Sequence, residues 1–132
     1  MSQENVEVVK AAYACLNRGD FDAGLALMHP EAEWVEDPLV PGAKTRRGLG
    51  EIRRYVESMP RFWESLRVEP ERFVDRGDEV LVLGRLTAHT RRGGPEIERT
   101  FDQMVTLRDG KIISIRWFSA RQEALEAAGL SE

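Results

Sequence analysis

The sequence predicts an α+β fold: helices forming a cone on a curved, mainly antiparallel sheet, with an apolar pocket inside. Two observations predict it. Apolar residues recur every three or four positions through roughly the first 60 residues, then every second position from about 66 to 118. The turn signals "RGDE" and "RDGK" divide the second half into strands. A four-stranded run has to bury one face, and short helices laid across it leave a hollow.

The elements follow in order. Val6, Val9, Tyr13 and Leu16 form one stripe of a helix from Ser2 to about Arg18, and Gly19 suits its C-terminal cap. A short helix at about 21–28 carries Phe21, Leu25 and Met28, and Pro30 closes it. "EAEWVED", 31–37, is expected to be a strand, and "DPLVPGAKTRRG", 37–48, a loop. Ile52, Tyr55, Val56 and Met59 share one face of a helix at 49–59, which Pro60 bends or ends. Strands are expected at about 66–74, 79–90, 96–107 and 111–118, the last two joined by a tight Asp-Gly hairpin. "SARQEALEAAGL" closes the chain as a helix, with Ser119 and Gln122 as a capping box and Gly129 as its C-cap.

The 132 residues suit one domain, 1–132. The hydrophobic share of 42% is enough for a core and too much for a disordered tail. A net charge of -4 argues against nucleic acid or an anionic membrane as partner. No apolar run approaches the ~20 residues of a membrane helix. "MSQENVEVVK" has no leader pattern, so a cytoplasmic location is expected. The single cysteine, Cys15, excludes an internal disulfide, and it has no histidine partner for nucleophilic catalysis. His29 and His89 have no partners at metal-ligand spacing, and no phosphate-cradling glycine loop occurs. Neither a metal nor a cofactor is expected.

The element order, with "LNRGDFDAGLALMHPEAEWVEDP", "RRGLGEIRRYV" and "FDQMVTLRDGKIISIRWF", resembles the SnoaL-like branch of the nuclear transport factor 2-like superfamily. That branch includes ketosteroid isomerases, polyketide cyclases, limonene-epoxide hydrolases and scytalone dehydratases, and it also has non-catalytic members. Locally the sequence is most similar to the ketosteroid isomerases. Their general base is the aspartate of a Val-Glu-Asp-Pro stretch, here Val35-Glu36-Asp37-Pro38. A second aspartate, nine residues before the lysine of the last hairpin, is held protonated to donate to the enolate oxygen; the matching residue is Asp102, with Lys111 as that lysine. The isomerases' first-helix tyrosine falls on Ala12, with Tyr13 one residue on, and their third-helix tyrosine falls on Val56, beside Tyr55.

The resemblance implies a cofactor-free acid–base enzyme (isomerase, cyclase, dehydratase or epoxide hydrolase) acting on a small apolar carbonyl or hydroxylated compound. A non-catalytic module binding a small molecule or a protein is the alternative. Asp37 or Glu36 would remove a proton, since alternation points only one of them inward, unless the inward acid pairs with Arg46 or Arg47. Asp102 would face the cone together with Thr100, Met104 and Thr106; in the other orientation it would be solvated or pair with an arginine. Tyr13, Trp34, Tyr55, Met59, Trp63, Met104 and Trp117 are the expected substrate-binding residues. Leu81, Leu83, Phe101, Val105 and Leu107 would make an apolar outer sheet face, through which a homodimer is expected.

Overall fold

The computed structural model describes residues 2–36, 43–118 and 120–130. Helix α1, Ser2–Arg18, buries Val6, Val9 and Tyr13 on one stripe. Gly19 then takes the left-handed conformation at φ +73°. Asp20 caps the short α2, Phe21–Ala26, its carboxylate accepting the Ala23 N–H at 3.2 Å. α2 ends earlier than expected because the chain has already joined the sheet: the Ile112 N–H bonds to Leu27 O at 3.0 Å, and β1 spans Met28–Val35.

A three-residue strand, β2, Thr45–Arg47, pairs antiparallel with β1. The sequence reading placed it in a loop, since so short a run shows no alternation. α3, Gly48–Phe62, runs past Pro60, whose missing N–H falls within the last turn. Then come β3 (Trp63–Arg76), β4 (Glu79–Thr90), a 3₁₀ turn at Arg91–Gly93, β5 (Glu96–Arg108) and β6 (Lys111–Phe118). Asp109 and Gly110, at φ 52° and 77°, make the hairpin turn whose twist matches its strands. α4, Arg121–Ala127, is capped by Ala120 without a side-chain bond; the expected cap, Ser119, lies outside the described residues. Gly129 follows α4 at φ 74°.

The six strands form one sheet in the order β2-β1-β6-β5-β4-β3, in which only β1 and β6 are parallel. β3 slips register between Pro70 and Arg72, and Pro70 stands opposite Gly84. Any Cβ at Gly84 would run into the Glu69 carbonyl oxygen, so only glycine lets β4 pass this bulge. Asn17 ties α1 to the edge strand β3: its side chain donates to Val68 O and accepts from Val68 N–H, both at 2.8 Å.

β4 is buried on both faces from Val80 to Gly84. Val80, Val82, Leu86 and Ala88 join the main core with residues of α1, α2 and α3. Leu81 and Leu83 point the other way and pack with Met104 and Phe118 under Ala124, Leu125 and Ala128. The expected outer face is corrected here: Phe101, Val105 and Leu107 belong to the main core. Leu81 and Leu83 do lie outside, but the chain's own α4 covers them. No described helix is long and apolar enough to cross a membrane.

Candidate functional site

Between the sheet and α1–α3 lies a cavity of about 270 Å³, near the lower end of the ~300–1,000 Å³ range of ligand pockets. Every second residue of β5 faces it: Ile97, Arg99, Phe101, Gln103 and Val105. Aromatic rings supply much of the wall. Tyr13 meets Phe101 edge-to-face at 5.5 Å, Phe101 meets Trp117 at 4.8 Å, and Trp34 meets Tyr55 at 5.3 Å. These contacts hold flat surfaces in fixed directions around the hollow.

The one polar pair in the wall is neutral. The Tyr13 hydroxyl donates to Gln103 Oε1 at 2.6 Å, and both residues are buried. Burial pushes the Tyr13 phenol well above its ordinary range, so it stays a hydrogen-bond donor. With Oε1 engaged, Gln103 keeps its NH₂ for another acceptor. The Trp34 indole N–H, also in the wall, is buried without a partner among the described residues.

Glu36 follows β1 at the rim, where Arg46 of β2 bonds its carboxylate at 2.5 Å. The Arg46 guanidinium lies 3.7 Å over the Tyr55 ring. Tyr55 lines the cavity and also a shallow depression with Lys44, Arg46, Glu51, Arg54 and Ser58. Burial, and then the Glu36 charge, raise the Tyr55 phenol, with Arg46 partly offsetting them.

Of the expected site residues, Tyr13, Trp34, Tyr55, Met59, Trp63 and Trp117 line the cavity. Two do not. Asp102 and Met104 lie on the opposite face of β5, beneath α4. The Asp102 carboxylate, fully buried, takes the Arg121 guanidinium at 3.0 Å, and the same guanidinium reaches Gly84 O at 3.3 Å. This corrects the inward orientation that the resemblance implied. On β5 the more apolar set, Phe101, Val105 and Leu107, turns toward the larger core, and parity carries Asp102 outward. Asp37 lies outside the described residues. Glu36 is not part of the cavity wall, and its partner is the Arg46 that the sequence named as one option.

Sequence reasoning missed Gln103 and Arg99. Both sit in phase with Phe101, so placing that apolar set inward would have found them. Cys15 is buried in α1 away from the cavity, and His89 sits outside with Ser65 and Glu96. Among the described residues no three His, Cys, Asp or Glu side chains come together as a metal site.

Comparison with known proteins gives a consistent relationship. The SnoaL-like domain matches residues 9–115. TerC, in a crystal structure with polyporic acid, is 27% identical with a TM-score of 0.80, covering 96% of this chain and 98% of that one. A nuclear transport factor 2-like protein from Burkholderia xenovorans LB400 is 30% identical with a TM-score of 0.75, covering 89% and 90%. A putative SnoaL-like polyketide cyclase from Jannaschia sp. CCS1, 22% identical with a TM-score of 0.77 over 89% and 85%, shares the fold. No curated protein sequence matches the chain.

Proposed function

The chain belongs to the SnoaL-like domain family, and we propose that its cavity binds a small, largely apolar ring compound through a carbonyl or hydroxyl oxygen. The observation that carries this reading is the neutral Tyr13–Gln103 pair set in an aromatic wall. A neutral donor in a dry wall suits a neutral oxygen, since it brings no uncompensated charge of its own. The unpartnered Trp34 N–H supports the same class of ligand, one that carries an acceptor. TerC, a similar protein of this fold, was co-crystallized with an organic molecule, polyporic acid, which supports the same reading.

The test is titration with 2-acetylnaphthalene, a flat ketone, followed by quenching of Trp34, Trp63 and Trp117 fluorescence. Saturable quenching that weakens in Gln103→Leu is expected. Absence of saturable binding overturns the reading.

Acid–base turnover of the bound compound is a second reading, favoured by Glu36 at the rim beside Tyr55. A base there would exchange the ketone's methyl protons for deuterium. Exchange accelerated by the protein and abolished in Glu36→Gln would make it an enzyme. A ketone recovered with its methyl protons intact leaves a binding module. This second reading has no role for Asp102.

A further inference from the structure

The cavity wall carries two formal charges, Asp20 and Arg99. Asp20 is already engaged: Oδ1 accepts the Ala23 N–H at 3.2 Å and Oδ2 faces Arg18 at 3.7 Å. Arg99 has no hydrogen bond, ion pair or ring contact among the described residues. The outer-face charges nearest to it are paired, Glu98 with Arg85 and Glu96 with His89. β5 therefore turns one exposed, unmatched guanidinium toward the hollow, opposite Leu86 and in line with Ile97 and Phe101.

We propose that the ligand of this cavity is an organic anion, and that Arg99 binds its carboxylate or ionised enol. The inference rests on the pocket reading above and narrows its ligand class. A guanidinium offers two parallel N–H groups that match a carboxylate's oxygen pair, and either can serve a single enolate oxygen. β5 supplies the ruler. Arg99 and Gln103 are four residues apart, roughly 13 Å along an extended strand, with the Phe101 ring between them. The Trp117 ring stands against Phe101 at 4.8 Å. A flat ring system stacked on one of these rings and edged by the other carries its neutral oxygen at Gln103 and its anionic group at the Arg99 end.

The basic residues at the neighbouring depression fit this role less well. Arg46 is committed to Glu36, Glu51 sits among them, and neither Lys44 nor Arg54 reaches the cavity wall.

The experiment compares 2-naphthoate with 2-acetylnaphthalene, near-isosteres that differ in charge, by tryptophan quenching. Wild-type protein is expected to bind the naphthoate about tenfold more tightly, the scale of one charge-assisted hydrogen bond. Arg99→Gln should remove that preference, with an unchanged far-ultraviolet circular dichroism spectrum showing that the variant is folded. Lys44→Gln/Arg54→Gln should keep the preference. Equal affinities in wild type, or a preference that survives Arg99→Gln, overturns the assignment while the pocket reading stands. So does a preference lost only in the Lys44/Arg54 variant. If neither compound binds, the pocket reading falls and the assignment falls with it.

Discussion

Asp102 and Gln103 are adjacent in sequence and each 1% exposed, yet they serve opposite sides of one sheet. The outward residue is charged, and the chain supplies its counter-charge from Arg121. The inward residue is neutral, paired with a neutral phenol, and it keeps donors toward an open cavity. A charge buried without a partner costs several kcal/mol, and Arg121 supplies one at Asp102 Oδ1, while Oδ2 is buried without a hydrogen bond among the described residues. Deep in the cavity wall the polar groups are neutral, and Gln103 and the Trp34 N–H leave hydrogen-bonding capacity unused, while the charged Arg99 stands at an exposed position. On this comparison Asp102 holds α4 to the sheet, and under the proposed function Gln103 would meet the ligand.

The largest effect expected from breaking the comparison lies on the outer side. Arg121→Met leaves a fully buried carboxylate without its cation and should cost about 3–5 kcal/mol in urea unfolding. Asp102→Ala should cost less, about 2–3 kcal/mol, because Arg121, with its side chain 38% exposed, can turn to water. The double variant Asp102→Leu/Arg121→Met should recover most of the loss. Binding of 2-acetylnaphthalene should be unchanged in all three. An Asp102 variant that keeps its stability and loses the ketone would return this residue to the cavity.

That same pair marks how far the sequence could be read. The helices, the four strands of the second half and the Asp109–Gly110 turn follow from local period and turn chemistry, so they were legible; the parallel pairing of β1 with β6 was not. A two-residue period says that Asp102 and Gln103 face opposite ways, but not which way the cavity lies. Resemblance chose Asp102, whereas the greater apolarity of Phe101, Val105 and Leu107 points to Gln103. The Leu81–Leu83 face looked ready for a second copy of the chain. Its cover is α4, which packs through Ala124 and Leu125 and is tied to β5 by a half-buried ion pair 19 residues apart in sequence, which no local pattern announces. The apolar basis for a homodimer through that face goes with it. β2 was lost because three residues are too few to show a period.

On the inner side, Gln103→Leu should have a smaller effect on stability and a larger one on recognition. It leaves the Tyr13 hydroxyl without its acceptor, at about 1–2 kcal/mol, less if the phenol finds water in the cavity. Ketone affinity should fall about tenfold, and chemical denaturation together with the fluorescence titration separates the two effects. A stability loss as large as that of Arg121→Met would mean that Gln103 is structural, and the contrast between the faces would fail.

The smallest effect at neutral pH concerns the two tyrosines, the only two in the chain, both of which line the cavity. Burial raises both phenols above their ordinary value, and beside Tyr55 the Glu36 carboxylate adds to the rise. The folded protein therefore holds protons that the unfolded chain releases near pH ~10. Below that pH both states are protonated and the difference contributes fully to stability. As pH climbs past it, only the unfolded state ionises and stability falls. Tyrosinate absorbance should stay flat in the native protein beyond pH ~10 and rise together with loss of the far-ultraviolet circular dichroism signal, while in concentrated guanidinium both phenols should titrate near pH ~10. An early, reversible rise for one tyrosine in folded protein would identify a wetter ring, and Tyr13→Phe and Tyr55→Phe would say which. Early titration of Tyr13 would mean that the wall around Gln103 is hydrated, and the dry neutral pair that carries the binding proposal would be lost.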